Sequence, residues 1–417
     1  MNYVSHLTCT LCHETYDPSP SYMTCPRCGE KGILDVIYDY EKLKEVVNAA
    51  YFKQQPIFNM WRYAPLMSIQ STDFKHSLDV GGTPHYQAFK LQKLFGFKQC
   101  FLKDEGKNPS ASLKDRASAV AVLKARELNQ TTVACASTGN AASSLACNAA
   151  KAGLEAKIFV PKRAPSGKLA QLRAFGAQIF SVEGDYKAAY QLSKQAIEHY
   201  GWYNRNAAIN PHMVEGKKTV AYEIAEQMAF KTPDWVVLSV GDGCTIGAVY
   251  KGFKDLYEIG MIAKIPKLLG VQAEGCQPFV KAFKENKDLQ ESDEDTIADS
   301  IAVGLPRNPL KGLNAVIMSH GDYIAVSDDA ILKASKLLAQ TEGIFAEAAG
   351  AAALAGAIKA KQDDIIKADD TISIIISGNG LKDPYHLDDV IAPPIKIKND
   401  FMALKKILHP HKEDHDE

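Results

Sequence analysis

Between residues 99 and 380, short and largely apolar runs alternate with longer stretches of helical spacing, and this alternation restricts the fold more than any other feature of the chain. QCFLKD, TTVACAS, AKIFVP, AQIFSV, WVVLSVG, KLLGVQAE and TISIIISG read as short buried strands. Residues 116–129, 141–152, 167–175, 186–200, 215–229 and 246–259 repeat apolar positions at the intervals of amphipathic helices. A helix between two strands returns the chain to its starting edge, so successive strands run parallel. The expectation is an α/β protein with mainly parallel sheets. Such sheets bind ligands beyond the carboxyl ends of their strands, so the strand-to-helix loops are where chemistry is sought.

At 417 residues and 46% hydrophobic content the chain has room for two or three domains of roughly 150 residues, each with a core. Lys plus Arg total 48 against 49 Asp plus Glu, which argues against nucleic acid or an anionic membrane as partner and leaves small molecules. The start, MNYVSHLTCT, has no basic segment ahead of an apolar core. No apolar run reaches the length of about 18 residues that spanning a bilayer needs, and the Ala/Gly-rich stretch 346–357 is too short. A cytoplasmic location is expected.

Nine cysteines in such a chain do not suggest disulfides, but four are patterned. Cys9 and Cys12 in CTLC, and Cys25 and Cys28 in CPRC, form two CxxC pairs with 12 residues between them. That spacing fits a closed, structural four-thiolate zinc site, with Gly29 as the turn residue after the second knuckle. Unpaired thiols or a redox pair are the competing readings, although redox CxxC motifs come singly beside a βαβ unit. His13 is a less favoured ligand because it directly follows Cys12. A segment this small cannot build its own core, so metal binding is expected to fold it.

Four loops stand out. In NPSASLKDR (108–116), Lys114 sits at a helix start beside Arg116, where the helix dipole and burial favour a neutral amine able to condense with an aldehyde. A solvated helix face is the alternative. Ser137, Thr138, Asn140 and Ala141 follow TTVACA and open a helix of small residues, a turn suited to a carboxylate, though such residues are also ordinary N-caps. Gly241, Asp242, Gly243, Cys244 and Thr245 follow WVVLSV; the glycines let backbone N–H groups approach a phosphate dianion. Gly247 falls one residue too late for a dinucleotide fingerprint. Ser377, in SGNG, places a hydroxyl after TISIII. Plain glycine turns are the bland reading of the last two. An aldehyde, a phosphate and a ring atom in one ligand describe pyridoxal phosphate.

At these stretches the chain resembles the fold-type II pyridoxal phosphate enzymes, and most closely the threonine synthases. The resemblance rests on KDEGKNPSASLKDR (103–116), ASTGNAASSLA (136–146), INPHMVEGKKT (209–219), TEGIFAEAAGAAALAG (341–356) and SGNGLKD (377–383). It implies two open twisted sheet domains behind an N-terminal ribbon: residues 1–34 as zinc-ribbon-like segment, 35–129 and 206–417 as a large cofactor domain, and 130–205 as a small mobile domain. It further implies a cytoplasmic homodimer acting as a carbon–oxygen lyase on O-phospho-L-homoserine. Lys114 would hold the cofactor covalently and shuttle protons. Asn140 would bond its 3′-oxygen, residues 241–245 its phosphate and Ser377 its ring nitrogen, while Ser137, Thr138 and Ala141 would hold the substrate carboxylate. Lys168 is the first candidate for receiving the substrate's phosphate and Lys217 the second; a solvated helix face is an equal reading for each.

The departures lie on the substrate side. SASLKDRA stands where the family shows TGSFKDRG, so Ala111, Leu113 and Ala117 differ around the lysine. Met213 replaces a common arginine, Asn379 a frequent histidine, and Ala348 and Gly350 alter the usual EPAS. Asp242 is repulsive toward a phosphate unless its side chain turns away. A β-replacement enzyme on O-phosphoserine, a threonine or serine dehydratase, and a catalytically idle homologue are the rival readings. The charged stretch 284–296 reads as a surface loop, and the tail HPHKEDHDE as a solvated terminus in preference to a weak metal site.

Overall fold

The computed structural model describes residues 3–19, 22–162, 166–388 and 390–409. The tail from 410 onward, and the side chain of Lys168, lie outside the described residues.

The ribbon is an antiparallel sheet of β1 (Val4–Cys9), β2 (Thr15–Tyr16), β3 (Thr24–Cys25) and β4 (Gly29–Tyr38), ordered β2-β1-β4-β3. Its last strand runs past residue 34 and enters the body. Leu7, Cys9, Leu34, Val36 and Tyr38 share one buried cluster with Val220, Ile224, Val236 and Phe253, so the ribbon completes its core by borrowing from the α/β body.

A short edge strand, β5 (His85–Gln87), precedes β6 (Gln99–Asp104) and helix α1 (Lys114–Glu127). The chain then builds a wholly parallel four-stranded sheet from β7 (Thr132–Ala136), β8 (Glu155–Pro161), β9 (Gln178–Val182) and β10 (Tyr203–Asn204), ordered β10-β7-β8-β9. Its helices are α2 (Asn140–Ala152), α3 (Ser166–Ala174) and α4 (Tyr186–Tyr200). Next come α5 (His212–Lys217), α6 (Thr219–Gln227), β11 (Trp235–Ser239), α7 (Cys244–Glu258), β12 (Lys267–Ala273), β13 (Asp322–Val326), α8 (Ala348–Gln362) and β14 (Thr371–Ile376). The six-stranded sheet has the order β13-β12-β11-β14-β6-β5 and is parallel except for β5.

All seven apolar runs are strands, in the parallel arrangement their alternation with helices requires. Residues 215–229 form parts of two helices meeting at Lys218. β5 and β13 are not among the seven runs: β5 carries no clear apolar pattern and lies at the sheet edge, where only one side is paired, whereas β13 has a short apolar run at residues 323–326 that the seven leave out. The Ala/Gly stretch near 350 is α8, buried beside β11 and β12. Small residues let it lie close: a Cβ on Gly356 would stand 2.3 Å from Val271 Cγ2.

Beneath α1 is a closed charge network. Arg116 is fully buried; its Nε donates to Glu105 Oε2 at 2.7 Å and its Nη1 to Glu223 Oε1 at 2.6 Å. Lys103 Nζ meets Glu223 Oε2 at 2.6 Å. Two cations thus balance two carboxylates, the condition under which buried charge is tolerated.

Candidate active site

Strand order brings three of the four loops together. β6, β14 and β11 are neighbours, so the loops that follow them, carrying Lys114, Ser377 and Gly241–Thr245, lie side by side at the carboxyl edge. Backbone bonds lock the first two: Leu113 N–H donates to the Ser377 carbonyl at 2.9 Å and Asn379 N–H to the Ala111 carbonyl at 3.0 Å. The fourth loop, after β7, lines a cavity of about 280 Å³ together with Ser300, Glu347 and Lys382, among others, and Glu347 links it to the Ser377 loop.

Lys114 is the first residue of α1. Burial and the nearby Arg205 guanidinium push its amine below the ordinary lysine range, which favours the neutral form. Ala111, just before it, holds a left-handed φ of 65°, a strained conformation for a residue with a Cβ. Asp115 ties this loop to α2: its carboxylate accepts from Ser110 N–H at 2.7 Å and from Asn148 Nδ2 at 2.9 Å, and burial raises its pKa to about 6.

Asn140 Nδ2 donates to both oxygens of Glu347, at 3.0 and 2.9 Å, and Ser377 Oγ lies 3.4 Å from Glu347 Oε1. The two residues from opposite sheets therefore meet at one buried carboxylate, whose pKa burial raises. Ser137 Oγ accepts from Gly139 N–H at 3.2 Å. Across the same cleft Lys382 Nζ reaches Ser143 Oγ at 3.0 Å and Gln171 Oε1 at 2.9 Å, joining the two sheets' layers.

In the glycine loop, Gly243 adopts φ +82° and a Cβ there would stand 2.6 Å from the Asn308 carbonyl oxygen, so the turn needs glycine. The first-turn N–H groups of α7, from Cys244 onward, have no intrahelical acceptor and are free to bind an anion. Asp242 Oδ1 accepts from Arg307 N–H at 3.3 Å, while its charge still acts on Lys114 and Lys217. Cys244 Sγ accepts from Asn308 Nδ2 at 3.0 Å.

The residues present fit a phosphorylated ring cofactor. Ser110 Oγ, Ser112 Oγ, Asn206 Nδ2 and Asn308 Oδ1 are buried without a hydrogen-bond partner around these loops, and a Cβ on Gly139 would point into open space. Arg205, Glu347 and Lys382 were not foreseen. Glu347 is the lone acid in a run of small residues and Lys382 lies within the GLKD quoted above, but Arg205 carries no local signal.

At the ribbon, the thiol sulfurs of Cys9, Cys12, Cys25 and Cys28 lie within 4.8 Å of one another. Leu11 and Cys12 N–H groups point at Cys9 Sγ and Cys28 N–H at Cys25 Sγ, at 3.4 to 3.5 Å. A Cβ on Gly32 would stand 2.5 Å from Cys25 Cβ, so only glycine passes beneath the cluster. The donor set suits a tetrahedral thiophilic cation.

Residues 76–378 match the family described as pyridoxal-phosphate dependent enzyme. The threonine synthase of Methanocaldococcus jannaschii is 40% identical over 96% of this chain and 98% of its own, and that of Methanosarcina acetivorans 38% identical over 97% and 98%. Among solved structures, threonine deaminase isoform 2 of Solanum lycopersicum superposes with a TM-score of 0.62 at 25% identity over 79% of this chain and 88% of that one. A serine ammonia-lyase of Rhizomucor miehei, at 22% identity and a TM-score of 0.64 over 74% of this chain and 96% of that one, shares the fold. No helix among the described residues is long and apolar enough to cross a membrane. The chain therefore belongs to the pyridoxal-phosphate dependent enzyme family, and the two relatives named above that match it over nearly its whole length are threonine synthases.

Proposed function

We propose that this protein is a threonine synthase, a pyridoxal-phosphate-dependent lyase that converts O-phospho-L-homoserine and water to L-threonine and inorganic phosphate. The observation that carries this reading is the likeness to named threonine synthases, which extends over 96% of the chain.

The cofactor, when bound, supplies an electron sink for the pair left at Cα. Lys114 would attach its aldehyde carbon and, once freed by substrate, carry protons at Cα, Cβ and Cγ; an amine that burial and Arg205 push below the ordinary lysine range suits both tasks. Gly241, Asp242, Gly243, Cys244 and Thr245 would hold the phosphate, chiefly through backbone N–H groups, since the Asp242 carboxylate is engaged elsewhere. Asn140 and Ser377 would exchange their shared partner Glu347 for the cofactor's 3′-oxygen and ring nitrogen. A hydroxyl at that nitrogen does not hold a proton there as a carboxylate would, which favours elimination and replacement chemistry. Ser137, Thr138 and Ala141 would take the substrate carboxylate. We assign Cys9, Cys12, Cys25 and Cys28 to a structural zinc ion.

The same reading makes residues 130–205 a small domain that moves with the substrate, against a large domain of 35–129 and 206–417, in a cytoplasmic homodimer. The test is to supply the reconstituted enzyme with O-phospho-L-homoserine and, separately, O-phospho-L-serine. Threonine with equimolar phosphate from the first supports the reading. Phosphate from the second alone moves the substrate to the β-replacement class.

A further inference from the structure

Lys217 is 3% exposed and Arg205 2% exposed, yet among the described residues neither has a carboxylate within ion-pairing distance. Lys217 Nζ also has no hydrogen-bond acceptor among them. Among the described residues the other cations as deeply buried are paired, Arg116 and Lys103 with Glu105 and Glu223, Lys218 and Lys251 with Glu215, Asp255 and Asp35; Lys114, the lysine reserved for the cofactor, is the exception. An unpaired buried ammonium is costly, so a fold that keeps one where it keeps other cations paired reserves it for an anion from outside.

The place is defined by contacts. Arg205 Nε donates to Ser118 Oγ at 3.1 Å and its Nη2 lies 3.5 Å from the Lys114 carbonyl, against the cofactor lysine. Its neighbours run along the glycine loop: the Ala207 carbonyl is 3.8 Å from Cys244 Sγ, and Asn308 Nδ2 donates to the Ala208 carbonyl at 3.1 Å. Between them Asn206 keeps its Nδ2 donor buried and unpartnered. Lys217 faces Lys114, Arg205, Asp242 and Cys244. It stands one helical turn after Met213, on the same side of α5, where the sequence resemblance leads one to expect an arginine.

Resting on the function proposed above, we infer that Lys217 and Arg205, with the Asn206 amide beside them, form the receptor for the phosphate group of the substrate and for the phosphate product. The glycine loop and the start of α7 already offer N–H donors for one dianion, the cofactor's. Two further cations without acid partners match a second dianion in charge. The same pair gives specificity, because an amino acid lacking the phosphate would leave both cations buried and unpaired.

The test titrates the holoenzyme's absorption spectrum with 2-amino-5-phosphonopentanoate and with L-norvaline, which share a carbon chain and differ in the phosphonate. Lys217→Met is expected to weaken the phosphonate by about tenfold or more, the usual effect of losing a charged hydrogen bond, while norvaline changes by less than about twofold. Lys217→Arg should restore most of the loss. Equal weakening of both ligands would show a merely structural role and overturn the inference. So would a loss of affinity for pyridoxal phosphate without a matching loss for pyridoxal, which would give the cations to the cofactor. Arg205→Lys, which keeps the charge in place, repeats the comparison where Lys217→Met fails to fold. If the wild-type enzyme forms no threonine yet prefers the phosphonate to norvaline through Lys217, the receptor stands and the reaction assigned to it falls.

Discussion

Replacing Lys217 by methionine should make the cofactor-free protein more stable. Burial is the first cause lowering this amine, opposed by Cys244 and Asp242 and reinforced by Lys114 and Arg205; together they bring it from 10.5 to about 8. At about 1.4 kcal/mol per unit, that is a cost of about 3 kcal/mol for holding the charged form. The unfolded chain keeps the proton up to pH 10.5 and the folded one only to about 8. Below 8 both states are charged and the full cost stands; between the two values the folded state releases its proton first and stability rises; above 10.5 the cost is gone. Methionine keeps the unbranched stem without the charge and favours helix. Urea unfolding of the cofactor-free enzyme should show Lys217→Met ahead by about 2 to 3 kcal/mol at pH 7 and by about 1 at pH 9.5. Inorganic phosphate should stabilise the wild type more than the variant. A variant no more stable at pH 7, or ahead by the same margin at both pH values, would refute the claim that an unpaired charge is stored there.

Lys114→Ala should bind the cofactor without covalent attachment, so borohydride treatment followed by peptide mapping should find no labelled lysine; a label on another lysine would sink the assignment. Ala111→Gly should raise stability by up to about 1 kcal/mol, because glycine accepts the left-handed φ that alanine holds under strain; a loss in urea midpoint would mean the alanine methyl matters more than the backbone. Cys9→Ser with Cys28→Ser should abolish bound zinc and lower the unfolding midpoint, and unchanged metal content would refute the four-thiolate site. Because β4 anchors Lys251 and Lys311 through Asp35 and packs Tyr38 under Lys218, the loss should extend to the helices that carry the glycine loop and Lys217, read as weaker retention of cofactor on dialysis.

Much of the site was legible because its signals are local. Apolar runs, glycine turns and helix starts are set by neighbours within a few residues, so the seven strands, the two CxxC pairs and the four loops could be named from the chain alone. Their convergence could not. β14 enters between β11 and β6, and only this insertion sets Ser377 beside Lys114 and the glycine loop. Glu347, which binds Asn140 and Ser377 from two different sheets, has no meaning until those sheets are docked. Lys217 makes the same point most sharply. In the sequence it is one of two adjacent lysines in a helix, indistinguishable from a solvated one. Packing against α1, α7 and the Arg205 loop buries both, then gives Lys218 the carboxylates of Glu215 and Asp255 and leaves Lys217 none. Burial and pairing are sums over residues far apart in the chain, and so only the tertiary structure could divide one lysine from the next.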